Sequence, residues 1–312
     1  MVTKNNYKGW IYLAPSLVLI IIFSLYPLID TFITSFYKDY NYLTGEFSGF
    51  TFDNYLVLFS IIEPPSYIAG IEAPIKAFFQ YALPNTLLIT FVTVPISIIL
   101  ALIISVLINS IKWFQKFFET LFFTPYVTNI IAVGMVFGVI FSHNGLFNSI
   151  FNLDEFWVEN NPGTTYWNAM LVIFLDIIWY QLPFKILIFV SGLQGINKTY
   201  YEAAKVDSAS KVKQFFKITV PLLSPQILYI SITSFINGFK EYQAIAGLFG
   251  RKGTSGNSYN LYTVVYFVYD QVNSGGNAFT ISYACCGAIV LFAIILVFTA
   301  LQLYVSKKKV HY

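Results

Sequence analysis

Six long apolar segments constrain the fold of this chain more than any other feature of its sequence. A helix of roughly 20 apolar residues crosses the hydrocarbon core of a bilayer and satisfies its own backbone hydrogen bonds there. The six segments are residues 10–36, 81–108, 117–141, 167–190, 222–248 and 279–305. We therefore predict an all-α, polytopic membrane protein with six transmembrane helices, in which residues 1–312 form one transmembrane domain.

The composition agrees with this prediction. Only 11% of the residues are charged and 57% are hydrophobic, whereas soluble proteins carry about 25% charged residues. The net charge of +3 is too small to indicate a nucleic-acid partner. The first apolar segment is too long for a cleaved signal peptide, so we expect it to remain as a span.

The distribution of basic residues predicts the orientation of the chain. If the N-terminus is cytoplasmic, twelve of the eighteen Lys and Arg residues lie in cytoplasmic segments and only Lys38, Lys76, Arg251 and Lys252 lie outside. The remaining two, Lys185 and Lys240, fall within spans. An excess of positive charge marks cytoplasmic loops. Both termini are therefore predicted to be cytoplasmic.

Residues 192–221, between the fourth and fifth spans, form an unusual amphipathic stretch. Thr199 and Glu202 match a helix-capping box, which predicts a short helix to about Val206. Asp207 and Ser208 indicate a break and a second cap. In the turns that follow, the apolar residues Val212, Phe215 and Phe216 lie opposite Lys211, Lys213, Gln214 and Lys217. Composition alone favours an interfacial segment whose lysines contact anionic lipid; the alternative is a docking surface for a cytoplasmic protein.

The order of residues in this stretch closely resembles the signature loop of ABC importer permeases. That loop reads E-A-A-x-x-D-G-A and ends in I-x-x-P; here it is Glu202-Ala203-Ala204, then Asp207-Ser208-Ala209, then Ile218 to Pro221. Ser208 replaces the family's glycine, the residue that best tolerates a positive φ. The segments "GFTFDNYLVLF", with Asn54 and Tyr55, and "WYQLPFKILIFVSGLQGI" also resemble carbohydrate-type permeases of the maltose-transporter F-subunit kind. The family's G-G-P element after the fifth span is missing.

This resemblance implies the type I ABC importer permease fold and a role in sugar or oligosaccharide import across the cytoplasmic membrane. Residues 192–221, which we name the coupling loop, would insert into a separate ATP-binding subunit. The residues implied in this coupling are Glu202, Ala203, Ala204, Asp207, Ser208, Val212, Phe215 and Phe216. The implied partners are a second homologous permease subunit, two ATP-binding subunits (or a homodimer of one), an extracellular substrate-binding protein and membrane lipid.

We expect no cofactor, metal or catalytic site on the chain itself, and ATP and Mg on the partner subunits. The glycine-rich segment at residues 247–256 has the order Lys252-Gly253-Thr254, which a phosphate-binding loop does not have. Cys285 and Cys286 are adjacent in an apolar run, where we interpret them as small packing residues. The chain is therefore predicted to be a transport subunit and not an enzyme.

A substrate pathway is expected among polar residues inside the spans, where such groups are costly and tend to be functional. By similarity to maltose-type permeases, the pathway would include Tyr126, Tyr180, Gln181, Thr233, Asn237 and Glu241, with Ser234 as a near neighbour. Asp30, Asp176, Lys185 and Lys240 are further candidates by the same criterion, and the alternative for the two lysines is that they extend toward the membrane surface near a span end. Four prolines in three consecutive spans, Pro84, Pro95, Pro125 and Pro183, suggest bent helices along this pathway.

Three alternatives stay open. The solute could be glycerol phosphate or a polyol, although the scarcity of arginine inside the spans argues mildly against an anion. An ion-coupled transporter could use Asp176, Lys240 and Glu241, but it leaves the signature loop unexplained. A membrane enzyme would need a cluster of catalytic side chains, which the sequence does not offer.

Overall fold

The computed structural model describes residues 6–65, 72–111, 115–158, 163–250, 260–273 and 279–309, and these residues are mainly helical. The helices of the first half are α1 (Asn6–Ile20), α2 (Tyr26–Thr34), α3 (Asp53–Leu58), α4 (Glu72–Ala77), α5 (Leu83–Ser110), α6 (Gln115–Val127), α7 (Ile130–Ile140) and α8 (Leu146–Phe151). Those of the second half are α9 (Tyr166–Gln194), α10 (Thr199–Val206), α11 (Lys211–Gln214), α12 (Val220–Leu222), α13 (Ser224–Phe239), α14 (Gln243–Phe249), α15 (Val264–Asn273) and α16 (Ile281–Lys309).

Short irregular elements join several of these helices. Wider π-helical turns connect α1 to α2, α4 to α5 and α11 to α12, at Ile21–Leu25, Phe78–Ala82 and Phe215–Thr219. One two-stranded antiparallel sheet pairs β1 (Tyr37–Lys38) with β2 (Gly49–Phe50). The fold class predicted from the sequence is therefore confirmed in its helical character.

Some of the predicted spans are single long helices and others are divided into shorter helices. Four stretches in the described part of the chain are long and apolar enough to cross a membrane as single helices: Gly9–Thr34, Ile75–Ser110, Tyr166–Gln194 and Ile281–Ser306. The fifth predicted span, residues 222–248, is divided at residues 240–242 into α13 and α14, and the segment Lys211–Leu222 meets α13 at an angle of 68°. The third predicted span is divided at Thr128 and Asn129 into α6 and α7. These elements are compatible with six spans, and the count of six stays a prediction.

The chain divides into two compact units, Met1–Phe78 with Phe267–Phe292 and Phe79–Tyr266 with Ala293–Tyr312. In the first unit, the side chain of Asn54 stabilises the loop that follows α2 through two hydrogen bonds. Its side-chain nitrogen donates to the carbonyl oxygens of Ser35 and Tyr37, at 3.0 and 2.9 Å. The hydroxyl groups of Tyr55 and Ser35 are 2.7 Å apart. The Asn-Tyr pair picked out by the sequence resemblance therefore holds the end of the first apolar stretch in place.

The second unit is built around α5, α9 and α13. Its core contains Ala101 and Ile108 from α5, Ile186 and Phe189 from α9, and Ile230 from α13, all buried. Gly238 allows α13 to approach α5 closely, because a Cβ atom there would lie 3.0 Å from Cγ2 of Thr90. A large apolar residue at position 238 would separate the two helices.

The prolines do not interrupt α5 and α9, which continue through Pro95 and Pro183. The break in the third predicted span instead lies three residues after Pro125, where Asn129 caps α7 by accepting the amide of Ile131 at 2.9 Å. The expectation that the prolines bend a pathway stays a prediction.

Candidate functional site

A cavity of about 600 Å³ in the second unit brings together side chains from α6, α9 and α13. We name it the central cavity. All six residues predicted for the pathway line it, together with the near neighbour Ser234: Tyr126, Tyr180, Gln181, Thr233, Asn237 and Glu241. These residues are far apart in sequence, so their convergence is a property of the fold. Their contact with a substrate stays a prediction.

Aromatic rings form one wall of the central cavity. The ring of Tyr126 stacks on that of Phe184 with centroids 5.6 Å apart and an interplanar angle of 20°. The centroids of Tyr126 and Tyr180 are 6.5 Å apart. Exposed aromatic faces bind the apolar C–H faces of sugar rings, and tyrosine adds a hydroxyl group that can donate or accept a hydrogen bond.

The polar residues of α13 differ in their availability to a ligand. Thr233 uses its hydroxyl hydrogen within its own helix, donating to the carbonyl oxygen of Tyr229 at 2.8 Å. Asn237 is exposed in the last turn of α13, and its side chain has no hydrogen bond to another described residue. The Asn237 amide can therefore offer both a donor and an acceptor to a hydroxyl group of a solute.

Glu241 has a structural partner as well as a place on the cavity wall. Its Oε1 atom accepts the backbone N–H groups of Tyr242 and Ala244, both at 3.0 Å, at the beginning of α14. Orphan N–H groups at a helix start favour a carboxylate, which also interacts well with the helix dipole. The sequence identified Glu241 as a pathway residue and missed this capping role.

Lys185 does not extend to the membrane surface, which was the alternative considered from the sequence. Its side chain is buried, and its Nζ atom donates to Oγ of Ser97 on α5 and, at 2.7 Å, to Oε1 of Gln181. These neutral partners satisfy part of the ammonium group, and the bond to Ser97 joins α9 to α5. Lys240, by contrast, is exposed. Both lysines line the central cavity, beside the six residues predicted for the pathway.

Sequence reasoning also missed several other residues of the cavity wall: Ile130, Phe184, Tyr229, Tyr242, Gln243 and Val265. A signal for two of them was present. Phe184 follows Tyr180 by four residues and Tyr229 precedes Thr233 by four, so each shares a helix face with a predicted pathway residue.

The coupling loop contains the two short helices that the sequence predicts, but their caps differ. Helix α10 ends at Val206 as expected. Thr199 does not cap it; instead, Oδ1 of Asn197 accepts the amide and the hydroxyl of Thr199, at 3.0 and 2.9 Å. Ser210, and not Asp207 or Ser208, caps α11 by accepting the amide of Lys213 at 3.3 Å. Asn197 and Ser210 therefore accept backbone amides at the starts of α10 and α11, as expected of a capping residue, but they stand two or more positions away from the predicted caps.

The turn between α10 and α11 explains the residue at position 208. The amide of Ser208 donates to the carbonyl of Lys205 at 3.0 Å, and that of Ala209 donates to the carbonyl of Ala204 at 2.9 Å. These two bonds define a Schellman turn, whose residue beyond the helix end adopts a left-handed conformation. Ser208 has a φ of 55°. Ser208 therefore has the backbone conformation for which the signature loop of ABC importer permeases has glycine.

Most of the predicted coupling residues are accessible. Glu202, Ala203, Asp207, Ser208, Val212 and Phe216 are exposed, while Ala204 and Phe215 are half-buried. Val212 is 67% and Phe216 63% exposed, which is high for apolar side chains. The ring of Phe216 packs edge-on against Phe215 with centroids 5.0 Å apart. The loop thus exposes both acidic side chains, at Glu202 and Asp207, and apolar side chains, at Val212 and Phe216.

Residues 94–311 match the family model described as "Binding-protein-dependent transport system inner membrane component". This match covers more than half of the chain and includes both the coupling loop and the central cavity. The chain belongs to this family of membrane transport components.

Relatives with transport names extend the comparison. The chain is 27% identical over 316 residues to the lactose transport system permease protein LacF of Rhizobium radiobacter, covering 97% of this chain and 95% of that protein. It is 31% identical to the sn-glycerol-3-phosphate transport system permease protein UgpA of Agrobacterium fabrum, covering 46% of this chain and 47% of that protein. A similar match, 27% identical, spans 49% of this chain and 44% of the probable ABC transporter permease protein MG188 of Mycoplasma genitalium.

Solved structures share the fold over almost the whole chain. A bacterial ABC transporter involved in the import of the acidic polysaccharide alginate contains a chain that matches with a TM-score of 0.77 and 18% identity, covering 98% of this chain and 96% of the other. The same transporter in complex with an alginate-bound periplasmic protein matches with a TM-score of 0.76. The type I ABC importer permease fold expected from the sequence is thereby confirmed.

Proposed function

We propose that this chain is the membrane-spanning permease subunit of an ATP-driven importer that moves a sugar or oligosaccharide into the cytoplasm. The observation that carries this proposal is the accessible two-helix surface of the coupling loop in a chain of the binding-protein-dependent transport family. In such a subunit, ATP would be hydrolysed on separate subunits that contact this surface.

The central cavity supports the choice of a carbohydrate. It combines stacked aromatic rings, at Tyr126 and Phe184, with amide and hydroxyl groups on α9 and α13. Hydroxyl-rich solutes need several hydrogen bonds and an apolar surface for the ring faces. The transport of lactose by a relative matched along its whole length points in the same direction.

The partners belong to the same proposal: a second homologous permease subunit, two ATP-binding subunits and an extracellular binding protein. A solved structure of the same fold includes a periplasmic protein bound to an alginate pentasaccharide. The orientation with both termini in the cytoplasm would place the coupling loop on the side where ATP is available.

A reconstituted complex tests the proposal. We expect proteoliposomes that contain all subunits to accumulate at least one member of a panel of labelled sugars and oligosaccharides when ATP is supplied to the ATPase side. We expect the purified chain alone to hydrolyse no ATP above a mock preparation. Accumulation that follows an ion gradient and does not need ATP would instead favour an ion-coupled transporter.

Glycerol phosphate or a polyol is the second candidate solute, favoured by the similarity to a glycerol-3-phosphate permease. Including sn-glycerol 3-phosphate and mannitol in the same uptake panel distinguishes it from a sugar.

A further inference from the structure

The central cavity has a buried lysine in its wall. The Lys185 side chain is 3% exposed, and its two hydrogen-bond partners, Ser97 and Gln181, are neutral. Within the described residues, no carboxylate oxygen lies within 4.0 Å of the Lys185 ammonium nitrogen. A buried charge without a counter-charge is unfavourable, because the desolvation of the ion is not offset by an ion pair.

The other charged groups of the cavity do not neutralise this ammonium. Glu241 directs Oε1 to the two backbone amides at the start of α14, and these bonds already engage its carboxylate. Lys240 is exposed and adds a second positive charge to the wall. The described wall therefore carries two ammonium groups and one carboxylate, and the carboxylate is already bound to backbone amides.

Lys185 also determines what Gln181 offers to a ligand. An ammonium group has three donors and no acceptor, so the side-chain atom of Gln181 that faces it must be the carbonyl oxygen. The NH₂ group of Gln181 is then the part of the amide left for the cavity. Lys185 and Gln181 together present hydrogen-bond donors only, and this favours an acceptor with negative charge.

We propose that Lys185 and Gln181 form an anion-binding subsite of the central cavity, which takes the carboxylate or phosphate group of a sugar acid or sugar phosphate. This inference rests on the proposed function and narrows its solute class. Ser97 holds the ammonium from the side of α5, the Gln181 NH₂ group adds a second donor, and the aromatic wall takes the sugar ring. The scarcity of arginine in the spans does not exclude such a solute, because a buried lysine supplies the charge.

Binding to the purified, assembled complex tests this subsite. Ligand-observed NMR titrations would use three probes with the same ring: glucuronate, glucose 6-phosphate and glucose. We expect at least one anion to bind about ten-fold or more tightly than glucose, since hydrogen bonds to charged groups are the stronger ones. The two anionic probes distinguish a carboxylate site from a phosphate site.

Variants assign the effect to the subsite. Lys185→Met keeps the length of the side chain and removes the charge, and we expect it to weaken anion binding about ten-fold while glucose binding changes little. Lys185→Arg should restore part of the loss. Gln181→Met should act in the same direction as Lys185→Met and serves as the second test if the lysine variant does not assemble. Lys240→Met removes the same charge from an exposed position, so we expect a smaller effect.

Several results would overturn the subsite: equal binding of glucose and both anions, no binding of either anion, or equal losses in Lys185→Met and Lys240→Met. The uptake panel separates this failure from that of the proposed function. If neutral sugars are imported and anions do not bind, the sugar importer stands and the subsite fails. If the anions bind through Lys185 but no saccharide is imported, the subsite stands and the proposed function fails.

Discussion

At the scale of single residues, Ser208 has a backbone conformation that suits glycine better than serine. Its φ of 55° places the Cβ atom close to the following carbonyl group, a contact that glycine avoids. The two hydrogen bonds of the Schellman turn hold the residue in this conformation, because they satisfy the last carbonyl groups of α10. The turn is therefore formed at some cost in local stability.

We predict that Ser208→Gly stabilises this turn by about 1 kcal/mol, since the left-handed conformation costs a residue with a Cβ atom about that much. When hydrogen exchange is carried out on the whole protein and read in the proteolytic fragment that covers residues 199–219, the amides should exchange about five-fold more slowly. Ser208→Ala removes the hydroxyl group but keeps the Cβ atom and is the matched control. Equal slowing in the alanine variant would mean that the hydroxyl group, and not the backbone conformation, limits the turn.

Asn237 and Thr233 lie on the same helix but differ in whether their side-chain hydrogen-bonding groups are already used within the protein. The Thr233 hydroxyl donates to the carbonyl oxygen of Tyr229 in the same helix, whereas no described residue hydrogen-bonds to the Asn237 side chain. We predict that Asn237→Ala slows import several-fold and changes the order of preference among sugars, because the loss of one hydrogen bond typically costs about 0.5–1.5 kcal/mol. Initial uptake rates of several sugars in an assembled complex measure this effect.

The control for this prediction is Gln194→Ala, which removes an exposed amide at the end of α9, away from the cavity wall. It should leave the order of sugars unchanged. A uniform loss in Asn237→Ala for every sugar, in proportion to a lower amount of protein in the membrane, would show that Asn237 supports packing and not selectivity.

At the scale of elements, α10 and the turn that follows it present two acidic side chains that the fold of these elements does not use. Glu202 and Asp207 are exposed, and neither side chain has a hydrogen bond to another described residue. Their substitution should therefore leave the two helices intact.

We predict that Glu202→Ala and Asp207→Ala each lower ATP-driven import, while the affinity of the binding protein for its solute stays the same. The proposed coupling role gives the physical reason: a contact with a basic group on an ATP-binding subunit would be lost. Glu202→Gln keeps the shape and removes the charge, so it separates an ionic contact from packing. Wild-type uptake by both alanine variants at equal membrane abundance would contradict a coupling role.

The elements also reveal which parts of the structure a sequence pattern can predict. The end of α10 at Val206 was predictable, because the apolar period stops there and Asp207 and Ser208 disfavour a continued helix. The caps were not, since Asn197, Thr199, Ser208 and Ser210 carry similar capping groups and only the path of the backbone selects among them. The burial of Lys185 depends on Ser97, a residue 88 positions away on another helix.

At the scale of the whole molecule, the apolar segments and the signature order of residues predicted the fold class and the family. These features are local, so they can be recognised without a structure. The composition of the central cavity is not local: its wall combines residues from α6, α7, α9, α13, α14 and α15. Resemblance to a family supplied six of these residues and the near neighbour Ser234, and the fold was needed to place the two lysines and the remaining residues in the same wall.

The predicted orientation follows from the positions of the basic residues and can be tested on the intact membrane. We predict that a cysteine at position 43 is labelled from outside the cell and one at position 198 only from the cytoplasm. Leu43, in the turn between β1 and β2, is 73% exposed, and Lys198 is exposed at the start of α10, so both sites are open to reagent. The variants Leu43→Cys and Lys198→Cys would be made with Cys285 and Cys286 replaced by alanine, and treated with a membrane-impermeant maleimide before and after permeabilisation. Labelling of Lys198→Cys in intact cells would contradict the cytoplasmic placement of the coupling loop and, with it, direct access of this surface to an ATP-hydrolysing partner.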